Sequence, residues 1–472
     1  MEPENTRAPA ASLGLLDATM VGIGAMIGAG IFVLTGLAAE IAGPAALLVF
    51  ALNGGVTTFT ALSYAELASA IPKNGGGYAY IRETFSAPVA FVMGWTRWFT
   101  YMAAGALYAL GFSSNFIEFV HLYWAGLPAG PGWEIGYALI AVVSFIALNA
   151  LSTEASGGAE TVVTLVKIAI LAVFIAFGVG AVSSATFFDI PAGATPGFSD
   201  FFSEGAMKVL PAMGLTFIAF QGYDLIATVT EEVENPRVNI PRAIFLSVGV
   251  TVAIYLLVVA VSIGTLGAER LGQAGERAVV EAAIGFMPDI GIFGASIGAA
   301  LIAFGAVFST ISALNAVVIG SSRIAFAMGR ERQLPERLGH IHHRYGTPFL
   351  ALLASGALMA VATVLAPISL VGNLASLFSL LGFVVVNLAV IKLRHTQPDL
   401  SRPFELPFYP IPPILGIVLN LLLGLFIAPL TWAIAVGWLV VGILVYVTLH
   451  RRTIDWSFSG LRPGGPAEEG RT

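Results

Sequence analysis

No cysteine occurs among the 472 residues, so disulfides and thiolate chemistry are excluded and thiol usage says nothing about the redox compartment. Charge is nearly as scarce. Asp, Glu, Lys and Arg make up 11% of the chain, against roughly 25% in an ordinary soluble domain. HExxH is absent, and the six histidines, at 121, 340, 342, 343, 395 and 450, fall in loops or at the ends of apolar segments. A membrane-embedded hydrolase needs a nucleophile with its base, or metal ligands, inside the spans, and those parts are missing. A channel needs a continuous polar lining or a filter, whereas the polar residues here gather at one level. The cluster His340-Ile-His-His343 lies in a solvated basic loop running from Arg332 to Tyr345 and reads as no metal site. No cofactor and no nucleic-acid partner is expected.

What remains is apolar. Hydrophobic residues make up 57% of the chain and mean hydropathy is +0.87. Runs long enough to cross ~30 Å of hydrocarbon recur throughout. They give about twelve spans, at 14–41, 43–71, 88–119, 133–152, 159–182, 206–230, 241–267, 291–328, 347–365, 370–394, 410–428 and 430–449. Turn residues such as Pro72-Lys-Asn-Gly-Gly-Gly77 separate them. Residues Met1 to Gly14 carry one basic residue, Arg7, and lack a signal peptide's basic region, so the first span is expected to stay in the membrane. Lys and Arg concentrate on one side, at Lys73, Arg82, Arg237, Arg242, Arg330, Arg394, Arg402, Arg451 and others. That bias puts both termini in the cytoplasm of a multi-pass cell-membrane protein, with residues 1–13 and 450–472 as tails.

Two spans are interrupted. The first contains Gly22-Ile-Gly-Ala-Met-Ile-Gly-Ala-Gly-Ile-Phe32, four glycines where the segment crosses mid-bilayer. Glycine weakens a helix, and opened backbone is tolerated in a membrane only where protein buries it or a wet cavity adjoins it. The sixth contains Phe217-Ile-Ala-Phe-Gln-Gly-Tyr-Asp224, with Gln, Gly and Asp at the same depth. Each opens a five-span half, residues 14–182 and 206–394, and five is odd, so the second half inserts inverted; residues 395–449 add two helices. Paired broken helices in inverted halves mark a secondary transporter with a midplane site. Small residues that merely let helices approach are the plainer explanation, but it does not account for the polar residues that accompany them.

Three ordered motifs carry a resemblance. They are Gly22 to Gly36, then Ala65-Glu-Leu-Ala with Ile71-Pro-Lys-Asn-Gly-Gly-Gly-Tyr78, then Glu231-Glu-Val-Glu-Asn-Pro-Arg-Val-Asn-Ile-Pro-Arg-Ala-Ile244. Together they resemble the amino acid–polyamine–organocation (APC) superfamily, close to its cationic amino acid transporter branch. The resemblance covers nearly the whole chain. It implies an all-α polytopic membrane protein of the APC type, a 5+5 inverted repeat with helices one and six broken, and amino acid transport by alternating access. By the same resemblance, the N–H groups of Ala29 and Gly30 hold the substrate carboxylate, Gly28 allows approach, and the carbonyls of Met26, Ile218 and Gln221 beside Gly222 take the ammonium.

Two departures bear on specificity. Relatives often place an aromatic cap at the position of Ile218, so either Phe217, Phe220 or Tyr223 is expected to cap instead, or the occluded state is looser. Some relatives place Glu at the position of Thr100, which supplies no counter-charge, and Arg97 nearby disfavours a cationic ligand further. A small or medium neutral amino acid is therefore expected; a carrier of cationic amino acids or polyamines, or a transport-dead sensor, is the alternative.

Lys167 lies deep in an otherwise uncharged span, where a lone ammonium is costly. In proton-coupled relatives a lysine in span five stands where sodium-coupled relatives bind sodium, and Lys167 matches it. Its expected neighbours are the Gly22 carbonyl region and Ser309 or Ser312. This makes the proton the expected coupling ion, with snorkelling as the bland alternative. Asp224 is expected to pair with Arg97 or to gate the inner half of span six. Oligomeric state is not indicated.

Overall fold

The computed structural model describes residues 13–73, 76–151, 157–190, 197–288, 291–292 and 295–450. The expected tails, residues 1–12 and 451–472, lie outside the described residues. The chain is a helical membrane protein of twelve spans. Among the described residues, eight helical runs are long and apolar enough to cross a bilayer, and the first, Leu15–Ala70, holds spans one and two. Span three, Ala87–His121, and the shorter apolar helices Phe349–Leu365 and Ile411–Leu425, spans nine and eleven, complete the set. Apolar residues around the whole circumference explain why these segments are helices with no solvent stripe. Span seven, Pro236–Leu266, opens on a proline at the first helical position, where the missing N–H costs nothing.

The two halves pack as an inverted repeat requires. Span one touches span six, span two runs along span seven, three along eight, and four (Pro131–Leu151) along nine. Each of these four contacts joins a span to the one five places later; span three also packs on span ten, and span one on span seven. Span one is broken as expected, into Leu15–Ile27 and Gly30–Ala42.

Three segments differ from the sequence reading. The second half of span six is not α-helical: Val209–Thr216 is, but Phe217–Phe220 and Tyr223–Glu232 are 3-10 helix. Gly291–Ile292 and Ala295–Ser296, counted into span eight, pair instead as a short antiparallel ladder; the helix proper is Ile297–Arg330. Hydropathy alone could not separate that apolar ladder from the helix it feeds. The connection between spans seven and eight also forms helices, Ala268–Ala274 and Ala278–Phe286, which seat on the second half of span one. There a Cβ at Gly36 would fall 2.0 Å from the Gly275 carbonyl oxygen, so the two backbones meet with no side chain between them.

Near the end of span two, Glu66 ties span ten (Ile368–Thr396) to the segment that follows it. Arg394 donates to both its oxygens at 2.8 and 2.7 Å, and the Leu406 N–H donates at 2.9 Å. Arg402 adds a guanidinium nitrogen at 3.6 Å. The carboxylate is buried, so its loss strands two arginines. Glu66→Ala is expected to cost about 3 kcal/mol of stability, read as a lower Tm of the detergent-solubilised protein, with Glu66→Gln falling between it and the parent.

Candidate functional site

The two interrupted helices meet inside the bundle. Gly28 turns the chain out of the first half of span one (φ 13°, ψ −133°), and Ala29 caps a new helix at Gly30. The first N–H groups of that helix have no intrahelical acceptor and sit at its positive end, an arrangement suited to an anion. In span six, Gln221 is extended and Gly222 has φ +143°, a conformation closed to side chains. A Cβ on Gly222 would also lie 2.6 Å from the Met26 nitrogen. The breaks therefore touch backbone to backbone at Met26 and Gly222.

Side chains from neighbouring spans take up the freed carbonyls. The Tyr255 hydroxyl of span seven donates to Met26 O and also lies 3.0 Å from Ala219 O, one proton shared between the two broken spans. Ser309 Oγ of span eight donates to Gly28 O at 2.5 Å. Lys167 Nζ, from span five (Gly157–Gly178), donates to Gly24 O at 3.1 Å and to Ser312 Oγ at 3.0 Å. The Ile218 N–H donates to Ser376 Oγ of span ten at 3.1 Å. Asp224 accepts the Gly222 N–H at 3.0 Å through one oxygen and Arg97 Nη2 of span three through the other. Both members of this ion pair are buried, and the Arg97 guanidinium lies over the Tyr101 ring, 5.3 Å from its centre.

A small, partly open cavity of about 20 Å³ lies against this junction. Span one contributes Ala25; span three, Tyr101, Ala104 and Tyr108; span six, Gln221, Gly222, Asp224 and Leu225; span eight, Ala313, Ala316 and Val317. The walls are mostly small and apolar. The Asp224 charge is matched by Arg97.

Of the residues singled out from sequence, Gln221, Gly222 and Asp224 reach the cavity wall. Met26, Gly28, Ala29 and Gly30 form the buried break of span one, and Ile218 is buried in span six. Thr100 is not in the wall; its hydroxyl turns back onto its own helix, donating to Thr96 O at 3.0 Å. Its neighbour Tyr101 takes the wall position, because one residue along a helix rotates the side chain by about 100°. Phe220 packs on Phe50 and Tyr255, and Tyr223 on Tyr64 and Phe383, so neither caps the cavity. The aromatic residues that line it are Tyr101 and Tyr108, whose spacing with Ala104 marks one face of span three. Lys167 meets the carbonyl of Gly24, two residues beyond Gly22, and, of the two serines expected, Ser312.

The amino acid permease family profile matches residues 13–449. The branched-chain amino acid permease BcaP of Bacillus subtilis (strain 168) is 31% identical over 454 residues, 93% of this chain and 93% of that protein. The methylthioribose transporter of the same organism is 30% identical, covering 94% of each chain. The serine/threonine exchanger SteT, also from that organism, is 30% identical over 86% of this chain and 88% of its own length.

The crossing at Met26 and Gly222 admits no side chain. Gly222→Ala is expected to cost at least ~2 kcal/mol through backbone strain and steric clash, read as a lower Tm and loss of the monodisperse species in size-exclusion chromatography.

Proposed function

The chain belongs to the amino acid permease family, and from that membership we propose a proton-coupled secondary transporter of small or medium neutral amino acids. It works by alternating access across the cell membrane. The observation that supports this reading is the cavity where the two broken helices meet, with apolar walls from spans three and eight. The substrate carboxylate goes to the N–H groups of Ala29 and Gly30, and the ammonium to the carbonyls of Met26, Ile218 and Gln221. Its side chain then faces Ala104, Ala313, Ala316 and Val317, which offer shape and no charge. Because Arg97 already neutralises Asp224, no carboxylate is left for a basic side chain. Two of the relatives are named for neutral amino acids, branched-chain or serine and threonine.

In the same reading, residues 14–182 and 206–394 are the two repeats and residues 395–449 two appended helices. The Lys and Arg bias places both termini in the cytoplasm. Lys167 is the coupling group: its ammonium joins Gly24 of span one to Ser312 of span eight, so losing its proton loosens one bundle from the other. Arg97 and Asp224 close the cavity between spans three and six and must part for passage.

Two measurements in proteoliposomes test this. In competition for uptake, neutral amino acids should displace label while their decarboxylated amines, arginine and lysine do not. Competition by amines as strong as that of the parent amino acids points to a polyamine carrier; uptake of methylthioribose but of no amino acid, the substrate for which one relative is named, overturns the reading. With an inward proton gradient, accumulation should proceed without sodium, and Lys167→Ala should keep part of its substrate binding while losing the response to the gradient. Sodium-dependent accumulation, or an unchanged response in the variant, makes Lys167 a structural residue.

A further inference from the structure

Gln221 is more than nine-tenths buried, lines the cavity and is satisfied at one end only. Its Oε1 accepts from Ser379 Oγ at 2.8 Å, and that hydroxyl also lies 2.6 Å from Ala375 O in its own helix. Its Nε2 has no hydrogen-bond partner among the described residues. Rotating the amide by half a turn changes nothing essential. Ser379 would then donate to Ala375 O and accept from Nε2, leaving the carbonyl end free instead. Either way half of a buried amide is unpaired, a cost that a ligand can recover.

The surrounding wall does not supply the missing partner. Ala25, Ala104, Ala313, Ala316 and Val317 have none to give, both oxygens of Asp224 are already engaged by Gly222 and Arg97, the Tyr101 hydroxyl faces Arg97 at 3.4 Å, and neither it nor the Tyr108 hydroxyl bonds the amide nitrogen.

We propose that the free end of the Gln221 amide selects, within the neutral amino acids, those with a side-chain hydroxyl. This rests on the transport reading above and narrows it to the serine and threonine class. A hydroxyl donates and accepts, so it satisfies the amide in either orientation. An aliphatic side chain of the same shape leaves the amide unpaired and desolvated. Sites built around a hydrogen bond reject the analogue that lacks it far more strongly than apolar pockets reject a methyl group.

Threonine and valine are near-isosteres and give the test. In proteoliposomes, kcat/KM for threonine should exceed that for valine by about tenfold, and serine should exceed alanine likewise. In Gln221→Met the threonine-to-valine ratio should fall to near one, whatever the absolute rate. A native ratio at or below one overturns the proposal without any variant. So does an unchanged ratio in Gln221→Met, which would mean that the amide reads the backbone common to both substrates. If Gln221→Met does not assemble, Gln221→Leu takes its place, and if neither does, the native ratio decides. Absence of saturable uptake for every amino acid defeats the transport reading itself; uptake with valine preferred defeats only this selection.

Discussion

A peptide group opened inside a bilayer has no water to turn to, and the centre of this molecule is organised around that constraint. Spans one and six both abandon the α-helix at the same place, and they do so against each other, with Met26 and Gly222 in backbone contact. The polar side chains of the surrounding spans follow from this. Tyr255, Ser309, Lys167 and Ser376 come from four different spans, and each ends on a backbone group of a broken helix. Asn53 of span two does the same where the α-helical part of span six runs out, donating to Met213 O at 3.1 Å and to Thr216 Oγ1 at 3.0 Å. Residues that look scattered along the chain are thus one shell around one junction.

The Arg97–Asp224 pair belongs to that shell but carries a different burden. Burying two charges is repaid only when geometry is good and remaining lone pairs are filled. Asp224 meets the condition, since the Gly222 N–H occupies its second oxygen. Arg97 meets it less completely: Nη1 has no partner among the described residues. Asp224 is thus the fully satisfied member of the pair and Arg97 the partly satisfied one, and their contact ties span three to span six.

Much of this was legible in the sequence, because the strongest signals were violations of what a membrane span normally contains. Four glycines in Gly22 to Gly30, the Gln221-Gly222 step and the isolated Lys167 each break the apolar rule, and each lies at the junction. The wall of the cavity was harder to read because it obeys the rule. Ala104, Ala313, Ala316 and Val317 are ordinary membrane residues, and only their shared helix faces single them out. At span three the cavity is lined by Tyr101, Ala104 and Tyr108, while the Thr100 hydroxyl bonds its own helix, since one residue is about a quarter of a helical turn. The apolar stretch at 291–296 failed for a simpler reason, since hydropathy measures solubility in lipid and not conformation.

The second half of span six is not a rigid rod. Tyr223–Glu232 is 3-10 helix interrupted at Val229, whose φ −109° and ψ 23° bend the segment into two short pieces. Asp224 lies at one end of this segment and Val233, beside the Leu13 backbone ladder, follows the other. The cavity wall and the start of span one are therefore joined through a bend, where the torsions of one residue can absorb a displacement instead of passing it along the chain.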